Sequence, residues 1–134
     1  MGFLGLDWFE SKETKKFKDD AYLHMVFPYG KRQEEKITSL LMSLFPNVEI
    51  SELKYNYIVT KQRLTNIDIY KLTAKEHCEL LEDLRNHFIH NDVDINLFIS
   101  LAIIDLKIKD DLNYPNSDEI KMNSLALKNN NTNC

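Results

Sequence analysis

The sequence predicts a mainly α fold, a bundle of four to five helices with room for one or two short N-terminal strands. Three observations predict it. Among 134 residues only three are Gly and three are Pro, too few turn formers for a β-sandwich or barrel. Apolar residues recur at helical spacing in several separate stretches. Side-chain capping signals stand where those stretches begin. Hydrophobic residues make up 43% and charged residues 28%, as in ordinary soluble globular chains. The length suits one domain with a single core. That domain is expected over residues 1–128, with 1–20 as a peripheral N-terminal segment and 129–134 as a disordered tail.

The elements follow in chain order. Phe3, Leu4, Leu6, Trp8 and Phe9 precede a charged stretch, and a free tail would expose them, so this opening is expected to lie on the body. "AYLHMVF" (21–27) has strand-like composition and "PYGK" (28–31) reads as its turn. Ile37, Leu40, Leu41, Leu44 and Phe45 mark a helix that Pro46-Asn47 stops. Ser51 offers an N-cap for the next, in which Leu53, Tyr57 and Leu64 share a face with Ile50 nearby. "TNIDIYK" (65–71) reads as an irregular connector.

Thr73 and Glu76 form a capping box, hydroxyl and carboxylate each satisfying a backbone donor left over at a helix start. The helix behind it is expected to bury Ala74, Cys78, Leu81, Leu84 and Phe88. "HND" (90–92) breaks it, with Asn91 or Asp92 expected to end it and Asp92 or Asp94 to cap the next. Residues 95–108 are apolar nearly all round, the pattern of a central helix covered by its neighbours. "IDLKIKD" (104–110) alternates, which also admits a strand. Asn116 or Ser117 would cap a short last helix.

Charge narrows the function classes. Lys plus Arg against Asp plus Glu runs 10 to 9 in residues 1–67 and 7 to 12 in residues 68–134, for a net charge of -4. That balance argues against a basic nucleic-acid-binding face. The lysines at 12, 15, 16 and 18 are interleaved with acids and read as a solvated face. The two cysteines do not form a disulfide framework, so a reducing cytosol is the expected compartment. "LFISLAII" (97–104) is far shorter than the roughly 20 residues a bilayer span needs. The Asn-, Ile- and Lys-rich composition suggests an AT-rich genome, hence a bacterial source.

One stretch carries specific chemistry. "LRNHFIHN" (84–91) resembles the R-x4-6-H motif of the HEPN superfamily, all-helical proteins among which many are metal-independent ribonucleases of toxin and phage-defence systems. The resemblance covers about ten residues and the general plan of helices. It implies catalytic roles for Arg85, Asn86 and His90 at a dimer interface. His90 would exchange the proton of the ribose hydroxyl or leaving oxygen. Arg85 would pair with phosphate oxygens, and Asn86 would orient either. Arg85 and His90 lie about 140° apart on a continuous helix, so they converge only if the helix bends or ends near residue 89.

The competing reading is a solvated helix end in which Arg85 pairs with Glu82 or another neighbour. A metal-site alternative uses Asp83, His87 and His90, which share a helical face. Cys78 reads as a small core residue rather than a nucleophile, and His24 as a half-buried structural histidine. On balance the sequence is read as a small cytosolic interaction or regulatory module without catalysis or cofactor. Its partner would be a protein or a second copy of itself. The alternative is the HEPN-like ribonuclease, for which RNA is the substrate.

Overall fold

The computed structural model describes residues 24–109 and 111–130 and is all-helical over them. Five α-helices follow in order: α1 Lys31–Leu44, α2 Ile50–Leu64, α3 Ala74–His87, α4 Ile95–Lys107 and α5 Ser117–Asn130, with a 3-10 turn at Ile69–Lys71 between α2 and α3. The mainly α expectation holds. Residues 24–26 are helical, so the described part of the expected N-terminal strand is not extended. The rest of that strand and the peripheral segment 1–20 lie outside the described residues. So do tail residues 131–134, while α5 runs on through 129 and 130.

Four of the five helix starts have a local cause. Gly30 precedes α1 at φ 87°, left-handed backbone that a Cβ would strain. The α1 pattern ends where expected, with Phe45 N–H closing on the Leu41 carbonyl at 2.9 Å. Helix α2 starts before Ser51, at Ile50, and Glu49 in the cap position makes no side-chain capping bond. The capping box of α3 is complete: Thr73 N–H donates to Glu76 Oε1 at 3.0 Å, and Glu76 N–H donates to Thr73 Oγ1 at 3.1 Å. Asp94 Oδ1 accepts from Asn96 N–H at 3.1 Å to open α4, and Asn116 Oδ1 accepts from Glu119 N–H at 3.0 Å to open α5.

Helix α4 is the centre of the bundle, touching α2, α3 and α5, while α1 packs on α2. Phe98, Ile99, Leu101 and Ala102 of α4 are fully buried. Phe98 stacks on Phe45 with centroids 4.7 Å apart and takes the edge of Phe88 at 5.1 Å, favourable aromatic geometries. The strand reading of 104–110 fails over its first four residues, because α4 continues to Lys107. Their alternation reflects burial of Asp105 between half-covered and exposed neighbours.

Two core assignments are corrected. In α3 the buried residues are His77, Leu80, Leu81 and Leu84, with Phe88 at its C-cap. The helix is thus turned so that Ala74 faces solvent and Cys78 is only partly covered. The buried set, His77, Leu80, Leu81 and Leu84, follows an i, i+3, i+4, i+7 series. Both ring nitrogens of His77 lack a hydrogen-bond partner. Cys78 is not a free thiol, so the reading of unlinked cysteines fails there and the inference of a reducing compartment loses its footing. His24 is exposed, not half-buried.

Candidate functional site

The motif stretch lies at the C-terminal end of α3. The helix stops at His87, Phe88 turns extended at φ -70°, ψ 139°, and its side chain plugs the core at 6% exposure. This meets the condition that the helix bend or end near residue 89, and it ends ahead of the Asn91 or Asp92 stop expected from the sequence. Asn56 of α2, wholly buried, holds the loop that follows. Its Oδ1 accepts from Ile89 N–H at 3.0 Å and its Nδ2 donates to the His90 carbonyl at 2.8 Å. A single side chain thereby satisfies both a donor and an acceptor of a departing backbone.

The three candidate catalytic side chains emerge differently from this scaffold. Arg85 and Asn86 are exposed, and Arg85 makes no ion pair among the described residues, with Glu82 or any other. His90 is partly exposed and presents Nδ1 to Glu52 Oε2 of α2 at 3.4 Å. Its ring is thus directed at an acid of another helix. For the metal alternative, His87 Nδ1 stands 3.1 Å from Asp83 Oδ1, while Asp83 Oδ2 accepts from Arg63 Nε at 3.0 Å. With His90 on Glu52, the three proposed ligands do not gather, and among the described residues no three His, Cys, Asp or Glu side chains could hold a metal ion.

The densest polar constellation lies elsewhere. Asp105, on the central helix, is 2% exposed. Its Oδ1 accepts from Gln33 Nε2 at 2.8 Å and from the Tyr114 hydroxyl at 2.6 Å. Its Oδ2 accepts from the Tyr57 hydroxyl and from Lys61 Nζ, both at 2.6 Å. Lys61, itself 4% exposed, also donates to the Val26 carbonyl and sits 5.7 Å from the Phe27 ring centroid. Four donors from α1, α2 and the α4–α5 loop fill both oxygens of one carboxylate.

The electrostatics follow from the burial. Desolvation, the Asp105 charge and the hydrogen bond to it hold the Tyr57 hydroxyl well above its ordinary pKa. Tyr114 is raised likewise, first by burial and then by its bond to Asp105. Both stay neutral donors. The Asp105 side chain has no solvent-exposed surface, so a reacting substrate has no path to it. The constellation braces the fold. Tyr114 also borders an open depression of about 370 Å³ lined by Arg32, Lys36, Ser39 and Asn113, where Lys36 Nζ donates to the Leu112 carbonyl at 2.9 Å.

Sequence reasoning missed this cluster. An acid inside an apolar helix, Asp105 within "LAIIDLK", was its one local signal. Gln33, 72 positions away, and Lys61, 44 positions away, carry no mark that they meet it. Among the described residues no helix is long and apolar enough to cross a membrane. Comparison with protein-family models, curated proteins and solved structures gives no match.

Proposed function

We propose that the chain is a small interaction or regulatory module without catalysis of its own, acting through protein contacts. The observation that carries this reading is the closure of Asp105. The densest polar cluster is buried, with the Asp105 carboxylate saturated by four donors. The surface offers instead separate apolar side chains, among them Met122 at 70% and Leu125 at 55% exposure.

A second reading keeps one specific observation on its side. The helix ends at His87, which frees His90 from the rotation that a continuous helix would impose relative to Arg85. Under it the chain is an HEPN-like, metal-independent ribonuclease whose Arg85, Asn86 and His90 work across a dimer. The Glu52 carboxylate beside His90 would then have to yield to the phosphate. Incubation of the protein with total RNA in EDTA, beside a folded His90→Ala variant, separates the two. The module predicts RNA left intact by both. Cleavage by the wild type that vanishes in the variant overturns the module and establishes the ribonuclease.

A further inference from the structure

Helix α5 has apolar residues on two opposite sides. Ile120 and Leu127 are buried, with Ser124 between them, on the side that meets α4. There Ser100 Oγ donates to the Ile120 carbonyl and accepts from Asn123 Nδ2, both at 3.0 Å. Met122 and Leu125 point the other way, at 70% and 55% exposure. Of the described α-helices, α5 alone exposes two large apolar side chains. Asp118 and Asn129, both exposed, continue the same stripe at its two ends.

The four side chains fall within about 60° of arc and follow the 4-3-4 spacing of a coiled-coil seam. Among the described residues Asp118 forms no ion pair and the Asn129 amide no hydrogen bond. Asp118 with Asn129, and Met122 with Leu125, share one midpoint, between residues 123 and 124. A two-fold axis through that midpoint brings an identical antiparallel helix onto the stripe. Met122 then meets the second copy's Leu125. At each end the Asp118 carboxylate, an acceptor only, meets the second copy's Asn129, whose amide donates. A parallel copy would instead set Asp118 against Asp118. On one flank of the antiparallel seam Lys121 approaches the second copy's Lys128, which is already neutralised by Asp94 of its own chain.

We propose that α5 is a self-association surface, on which a second copy of this chain packs antiparallel through Met122 and Leu125, with Asp118–Asn129 hydrogen bonds closing both ends. The contact is isologous, as two-fold dimers require. It rests on the reading of the chain as an interaction module and names the partner and the face. The seam from Asp118 to Asn129 is only about 16 Å long. It therefore covers less than the about 800 Å² per partner typical of stable complexes, and the dimer is concentration-dependent.

Sedimentation equilibrium of the whole chain, from about 1 µM to about 500 µM, reads the association directly. The expected result is a mass rising from 15.8 kDa toward twice that value. Leu125→Glu is expected to hold the mass at the monomer throughout. Asn129→Asp sets acid against acid at both ends and is expected to weaken association about tenfold. Adding Asp118→Lys to that variant places opposite charges at both ends of an antiparallel seam and is expected to restore association. In a parallel seam the same double change would set like charges against each other. Each of the two changes also puts the wrong charge at a helix end, which weakens α5 by itself. The double variant carries both penalties, so its recovery cannot come from that effect. Far-UV circular dichroism checks that each variant is folded.

A wild type that stays monomeric overturns the proposal. So does a dimer that persists with Leu125→Glu. A dimer indifferent to Asn129→Asp, or not recovered by the double change, overturns the antiparallel register. None of these outcomes bears on RNA cleavage, so loss of the α5 seam and loss of the non-catalytic reading are separately visible.

Discussion

At the scale of single residues, Asp105 and Lys61 set the terms. A buried ion pair adds little net stability over a well-packed apolar substitute, but removing one member strands the other charge in the interior. Lys61→Met is therefore expected to destabilise the chain by about 3–5 kcal/mol in urea unfolding. The double change Lys61→Met with Asp105→Leu should recover much of that loss. The recovery is incomplete because Gln33, Tyr57 and Tyr114 also lose their acceptor. Little of this was legible from sequence. A buried acid is identified by partners distant along the chain, and periodicity reports only neighbours within a turn or two. The motif residues were the reverse case: Arg85, Asn86 and His90 could be named from their order, but not the acid, Glu52, that His90 faces.

At the scale of elements, much of the local chemistry that is completed within a few residues is legible in the sequence. The Thr73–Glu76 box and the Pro46-Asn47 stop appear as the sequence predicts, and the structure takes Asp94 over Asp92 and Asn116 over Ser117 as caps. Ser51 does not cap α2, which starts at Ile50. The rotation of α3 is not legible locally, because it depends on what the other helices bury and places His77 inside. Asn56 governs the stretch beyond α3. Asn56→Ala leaves the Ile89 N–H and the His90 carbonyl without partners, at an expected cost of about 2 kcal/mol. Hydrogen exchange of the amides from 88 to 94 should quicken more than that of α4, which checks that the loss is local before it is global.

At the scale of the whole molecule, the raised tyrosines make stability depend on alkaline pH. The ordinary phenol value is 10.0, and Tyr57 and Tyr114 are both held above it in the folded state. The folded chain thus keeps protons that the unfolded chain releases. Their contribution is intact below about pH 10 and falls away as the pH rises further. Tyrosinate absorbance near 295 nm should show these two hydroxyls ionising together with loss of helix. Tyr57→Phe should remove one tyrosine from that step. Ionisation of Tyr57 and Tyr114 before any loss of helix would show the two hydroxyls to be less protected than this geometry requires.

The span of the Asp105 contacts also has a consequence in time. Gln33 lies near one end of the described chain, Tyr57 and Lys61 in its second helix, and Tyr114 beyond the fourth. A ribosome releases these groups in that order, and the carboxylate is complete only when the last has emerged. Until then Asp105 keeps its water, and a growing chain that buried it early would do so against an unmet charge. The apolar faces alone would tolerate helices that slip by a turn. The carboxylate does not, since a slipped arrangement separates it from donors fixed on three other segments. The carboxylate therefore holds the helices in one register, and its set of donors is complete only with Tyr114 in place.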